Sequence, residues 1–182
     1  MCFEAERLVL AQAFESVSCV IEHVGSTAVP ELAAKPIIDI MLGVHSLADI
    51  EARIETMGML GYEYMPQHEN VMPERRYFAK PVVRPRYFHV HAVVLDGAFW
   101  NEHLIFRDAL RANPKLAQSY ASLKLQLAAE FGEDREGYTN AKGSFIRSVI
   151  CGAPLFKTGL PPYIREGLAV PAPQFNVRRL RE

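Results

Sequence analysis

Val24-Gly25-Ser26-Thr27-Ala28-Val29-Pro30, followed after four residues by Lys35-Pro36-Ile37-Ile38-Asp39-Ile40-Met41-Leu42, sets a small-residue turn just ahead of an apolar strand. The run over 37–44 is interrupted only by Asp39 and Gly43, the pattern of a strand covered on both faces, and it is placed at the centre of a sheet. A carboxylate has no reason to lie in such a strand unless it is paired, protonated or at work, because an unpaired charge is expensive to take out of water. Asp39 therefore marks either an internal ion pair or a site.

Working outward, Phe3, Leu10, Phe14 and Val17 fall near helical spacing and predict an amphipathic helix over 3–17. Residues 18–24 are richer in β-branched types and read as a strand, and Pro30 opens a single helical turn over 30–34. Ser46-Leu47-Ala48-Asp49 resembles a capping-box start, from which the stripe Leu47, Ile50, Ile54 and Met57 runs until Gly58 and Gly61. The middle, 62–85, is less regular. It contains one strand over 75–80, and a clearer one over 86–95 ends at Asp96-Gly97. Helical stripes follow: Phe99, His103, Phe106 and Leu110; then, behind the Asn113 cap and Pro114, Leu116, Tyr120, Leu123 and Leu127; then a third helix over 135–150. The order predicts an α/β (α+β) fold, a mixed sheet flanked by helices with a helical C-terminal layer. One domain spans 1–150, and the proline-bearing segment 151–182 forms a tail.

Composition bounds the function classes. At 182 residues, 49% hydrophobic and 23% charged, the chain is that of a single globular domain. No apolar run reaches the roughly 20 residues of a transmembrane helix, and the first residues lack a secretory pattern, so a cytoplasmic protein is expected. Cys2, Cys19 and Cys151 are scattered and read as free thiols. A net charge of −1 offers no global attraction to nucleic acid, so any such binding would have to be local; the partner expected from the motifs below is a small molecule, and the sequence assigns no oligomeric state.

Three constellations carry chemistry. Gly25 permits a tight turn in which Ser26 and Thr27 supply hydroxyls suited to phosphate, although an ordinary strand-to-helix turn uses the same residues. His89 and His91 share one strand face; beside Asp39 they would form a mixed nitrogen and oxygen site for a divalent metal such as Zn or Mn, or hydrogen-bond Asp39 without one. Lys35, Arg76, Lys80 and Lys142 could neutralise an anion, with Arg76 and Lys80 spaced to share a strand face. His103, Trp100 and Tyr120 read as core residues, alternation separates Glu22 from His23, and Arg178-Arg179-Leu180-Arg181 reads as a solvated tail.

The Gly25-Ser26 turn with Asp39 on the next strand resembles the polymerase-β-like nucleotidyltransferases, in which a Gly-Ser turn holds triphosphate and two alternate strand carboxylates hold Mg. Here Met41 stands at the second carboxylate position, and a thioether is no ligand for that hard ion. A narrower resemblance covers about 3–150. Residues 22–30, 33–40, Arg75-Arg76-Tyr77-Phe78, His89-Val90-His91, Phe106-Arg107-Asp108 and 141–146 are similar to the GrpB (UPF0157) family. That resemblance implies a nucleotidyltransferase-like fold, sometimes fused to dephospho-CoA kinase, with a single Asp on this strand. It adds Asn140 to the candidate ligand set beside Lys142. The functional expectation is a nucleotide or other phosphate ligand in the cleft, with Asp39 as metal ligand or base in nucleotidyl transfer. The alternatives are a non-catalytic binding module without the second acid, and a His/Asp metal-dependent hydrolase.

Overall fold

A computed structural model describes residues 2–152. Chain order is α1 (Phe3–Ala13), β1 (Cys19–Val24), β2 (Ile38–Val44), α2 (Leu47–Glu51), α3 (Ile54–Met59), β3 (Glu63–Tyr64), β4 (Arg75–Lys80), β5 (Phe88–Val94), α4 (Ala98–Ala112), α5 (Pro114–Phe131) and α6 (Arg135–Gly152). The strands form one mixed sheet in the order β1-β2-β5-β4-β3, with β2 and β5 parallel and the other pairs antiparallel. The fold is thus the expected mixed α/β class. The tail from 153 on, with its Arg178 to Arg181 cluster, lies outside the described residues.

Alternation along the strands gives the two sheet faces different jobs. Ile40, Leu42 and Val44 of β2, Phe88, Val90 and Ala92 of β5, and Phe78 of β4 pack beneath Leu10 of α1, Phe14 just after it, Ile50 of α2 and Met57 of α3. The opposite face carries Met41, Val93 and Val24 under Trp100 of α4. There Gly43 has no Cβ because one would lie 2.6 Å from the Trp100 ring. Helices α4, α5 and α6 join through Leu110, Tyr120, Phe106 and Phe145, with Val29 tucked among them. Arg107 of α4 fastens this layer to β1: its guanidinium donates to Glu22 Oε2 at 2.6 Å and to the His23 carbonyl at 3.0 Å. On the other face of β1, His23 stacks on Phe3 of α1.

Several expectations change. The sheet centre is β5, and β2 lies one place to its side, because β1 closes the outer edge of β2. The segment 30–34 is no helical turn: Leu32 N–H donates to Val29 C=O at 3.3 Å and Glu31 takes φ 61°, the sign a type II turn requires after Pro30. The first helix stops at Ala13, short of Val17. The stripe from Leu47 breaks at Ala52 and Arg53 into α2 and α3; Gly58 lies inside α3, and Gly61, at φ 85°, is the residue that reverses the chain. Strand β3, two residues at the sheet edge, is too short to show a period. Ser46 does cap α2, accepting from Ala48 N–H, and Asn113 caps α5 through Leu116 N–H. Trp100 and Tyr120 are buried as expected, and all three cysteines are free.

His103 is mostly buried against the sheet, its ring stacked on Phe99 at 4.0 Å and its Nδ1–H donating to the Phe99 carbonyl at 2.8 Å. Burial, helped by the nearby His91, pushes it down to about 4. In the unfolded chain a histidine titrates near ~6.5, so between the two values the unfolded state binds more protons. Stability is therefore lost as pH falls from ~6.5 through the folded value, by on the order of 3 kcal/mol from this group. Urea unfolding at pH 7 and pH 4.5 should show the loss, and His103→Gln should make it smaller.

Candidate active-site cleft

The turn and the sheet meet at Asp39. Val24, the last residue of β1, pairs with Asp39, the second residue of β2, so the chain must turn immediately above the carboxylate. Gly25 makes that turn at φ 72°, and a Cβ there would stand 2.4 Å from Asp39 Oδ2. No other residue type fits this place without moving the acid. Residues Ser26–Ala28 continue as one 3₁₀ turn.

Parallel pairing of β2 with β5 sets Asp39 beside His89 and Met41 beside His91. Antiparallel pairing then brings Tyr77 of β4 opposite His91. The Asp39 Oδ1 atom lies 3.3 Å from His89 Nδ1, at the edge of hydrogen-bond range. It lies 3.7 Å from His91 Nε2, beyond that range, where the hold is electrostatic. Burial would raise the Asp39 carboxyl, but the two imidazoles outweigh it and hold the group well below the usual carboxylate range. Asp39 is thus ionised. His91 is pushed the other way, down from its ordinary value, by burial against the opposing pull of Asp39. Tyr77 packs edge-on to His89 and tilted to His91, and burial, with Asp39 nearby, pushes its hydroxyl up to about 12.

Above this polar floor opens a cleft of about 990 Å³. Its walls are the 26–27 turn and the 33–37 segment on one side and α5 and α6 on the other, with Lys35, Lys124 and Lys142 among the lining residues. Lys124 reaches across, donating to Ser26 Oγ at 3.1 Å and to the Ala33 carbonyl at 2.7 Å. Burial lowers it, and so does the charge of Lys142; Lys142 is itself lowered by burial against the pull of Asp39.

Of the residues singled out in the sequence, Gly25 abuts the Asp39 carboxylate, and Ser26, Thr27, Lys35, Asp39, His89 and Lys142 line the cleft. His91 adjoins them through Asp39. Thr27 has its hydroxyl committed: the proton goes to the Ile37 carbonyl, so His23 Nε2 must donate to Thr27 Oγ1 at 3.1 Å. Thr27 locks the turn and offers no free donor.

Arg76 and Lys80 share a face as expected, but it is the far face of the sheet. There Arg76 pairs with Glu51 and Glu69, and Lys80 pairs with Glu6 over the Tyr62 and Phe88 rings. Asn140 is exposed and does not line the cleft. Two residues escaped the sequence reading. Lys124 sits one turn after Tyr120 in a stripe read as core, and Arg75, quoted above only within the family resemblance, shares the β4 face of Tyr77, which the strand register sets beside His91.

Met41 is 0% exposed, wedged among Val24, Val93 and Trp100. The position of a second metal carboxylate is therefore packed interior, and a two-metal, all-oxygen site does not fit these residues. Among the described residues no group of three His, Cys, Asp or Glu is disposed to hold a metal ion.

Two variants test this geometry. Met41→Asp should lower stability by about 3 kcal/mol or more in urea unfolding, with no gain in Mn²⁺ affinity, because its carboxylate would be buried among apolar groups. Gly25→Ala should destabilise by about 2 kcal/mol and shift the NMR resonances of Asp39 and His89, since both the left-handed backbone and the close approach are lost.

Residues 1–151 match the family described as GrpB protein. UPF0157 protein YqkA of Bacillus subtilis is 38% identical over 158 residues, 87% of this chain, which spans only 45% of YqkA. A UPF0157 protein of Pseudomonas aeruginosa is 38% identical over 98% of this chain and 72% of its own length. A solved structure, the conserved protein GrpB from Enterococcus faecalis, superposes with a TM-score of 0.73 at 37% identity, covering 83% of this chain and 89% of that one. A dephospho-CoA kinase of Mycolicibacterium paratuberculosis is 30% identical over 155 residues, with 37% of its length covered. No helix among the described residues is long and apolar enough to cross a membrane. On the family match and the shared fold, the chain belongs to the GrpB family.

Proposed function

We propose that the cleft binds a phosphate-bearing small molecule, a nucleotide first, and that Asp39 and His89 form the reactive floor beneath it for nucleotidyl transfer. The observation that carries this reading is the crowding of Lys35, Lys124 and Lys142 along one cleft above Asp39, with Glu133 the one other carboxylate among the described residues of its lining. Lys124 and Lys142 are each lowered by burial, and the charge of Lys142 adds to the shift on Lys124, so a bound polyanion would relieve both. Ser26, bridged to Lys124, keeps its own hydroxyl proton available for a phosphate oxygen. Nucleotidyl transfer is a fold-level analogy drawn from the Gly25-Ser26 turn and Asp39.

A second reading, a binding module without catalysis, is favoured by buried Met41. The metal-dependent hydrolase reading has no such support beyond the residue types Asp39, His89 and His91. No step is assigned to a metal. Mg, Mn and Zn enter as arms of the test, with elemental analysis of the purified protein.

Isothermal titration with nucleoside triphosphates, with and without Mg²⁺ or Mn²⁺, is expected to show binding. Lys124→Ala should weaken it at least ~10-fold, about 1.4 kcal/mol, whereas Lys80→Ala, on the far face, should leave it unchanged. Absence of binding under every metal condition would overturn the reading. Binding without cleavage of the nucleotide over hours would favour the module.

A further inference from the structure

The Arg75-Arg76-Tyr77-Phe78 stretch splits across the sheet, and its Arg75 has a neighbour the function described above does not use. The Arg75 side chain lies against the Tyr77 ring at 4.9 Å and the Phe99 ring at 5.7 Å, and its Nη1 stands 3.2 Å from His91 Nδ1. A guanidinium only donates and does not lose its proton in a protein. The His91 Nδ1 must then be a bare lone pair, and the one proton of the neutral ring sits on Nε2, the nitrogen facing Asp39. His89 is arranged oppositely. Its Nδ1 faces the ionised Asp39, which only accepts, so the proton sits on Nδ1. Among the described residues, Nε2 of His89 has no hydrogen-bond partner, and the residue lines the cleft.

We infer that the two histidines flanking Asp39 hold opposite tautomers: Arg75 fixes His91 as an Nε2–H positioning residue, and His89 presents a bare Nε2 to the cleft as the proton acceptor. The assignment of tautomers needs no ligand; the acceptor's role rests on the reading of the cleft as the place where a phosphate ligand reacts. In that reaction His89 Nε2 takes the proton of the attacking hydroxyl, water or another acceptor's, as its oxygen bonds to phosphorus. The bond from phosphorus to the departing phosphate oxygen breaks, and the departing group leaves with that electron pair. Tyr77 stabilises the arrangement by standing against both rings.

The test is a long-range ¹H–¹⁵N correlation spectrum of the full chain labelled at histidine nitrogens, near pH 7.5. The expected result is a protonated Nε2 with a bare Nδ1 for His91, and the reverse for His89. Arg75→Met should release His91 into mixed tautomers while His89 keeps its Nδ1–H. Arg75→Lys, whose ammonium also only donates, should restore the wild-type His91 pattern. A merely structural Arg75 would disturb both rings alike or neither, which overturns the positioning role. A bare Nδ1 on His89 in the wild type overturns the acceptor assignment. As a second readout, diethyl pyrocarbonate, which acylates unprotonated imidazole nitrogen, should modify His89 faster than His91 by peptide mass mapping; equal or reversed rates count against it. If the tautomers are as assigned and no nucleotide binds, the proposed ligand fails while this arrangement stands.

Discussion

The contact between Gly25 and the Asp39 carboxylate is the constraint around which the cleft is built. An ionised acid inside a sheet is tolerated only where donors surround it and nothing displaces it. Here the donors come from the neighbouring strand and the space comes from a missing Cβ. Everything close to Asp39 follows from that arrangement. The turn must be a glycine at positive φ, β5 must run parallel to β2 to bring both imidazoles alongside, and β4 must add Tyr77 and Arg75 from the far side. The two sheet faces then part company, one sealed by α1 to α3 and the other left partly open between the turn and the C-terminal helices.

Charge is distributed with the same economy. The basic groups of β4 on the far face are paired: Arg76 with Glu51 and Glu69, Lys80 with Glu6. In the helical layer Arg107 is held by Glu22 and Asp108. The lysines of the cleft differ, since Lys124 spends its ammonium on a hydroxyl and a carbonyl, neither of which neutralises it. The Lys124 ammonium thus stays unneutralised beside the open space, while Asp39 pulls on Lys142 from the cleft floor and Glu133 adds a second carboxylate to the lining.

Much of this was legible in the chain. Strands over 75–80 and 86–95, the three long C-terminal helices and the lone acid of 37–44 all carry strong local periods, so burial reproduced them. His89 and His91 could be placed on one face by alternation alone, and the expectation that they meet Asp39 held once β2 and β5 paired. What could not be read was the side of the sheet. Arg76 and Lys80 alternate correctly, yet alternation does not say which face is the cleft, and the β4 to β5 register decides it. Lys124 was hidden for a related reason, because a lysine beside Tyr120 in an apolar stripe looks like a snorkelling surface residue until the turn arrives opposite it. The Val29 to Leu32 turn deceived through Pro30, which begins helices and type II turns alike.

The polar residues of the open face have one more consequence, which concerns how the chain finds its pairing. Asp39, His89, His91, Tyr77 and Arg75 share one face of three adjacent strands, while Ile40, Leu42, Val90, Ala92 and Phe78 lie on the other, with Arg76 and Lys80 at its β4 side. A slip of β2 or β5 by one residue would turn its polar side chains toward the apolar cluster beneath α1 to α3, away from the partners they hold in the cleft floor, and would expose the apolar set to water. The cluster that forms the cleft floor therefore also acts as the sheet's alignment key: the most polar part of the interior makes the correct register the only one the core tolerates.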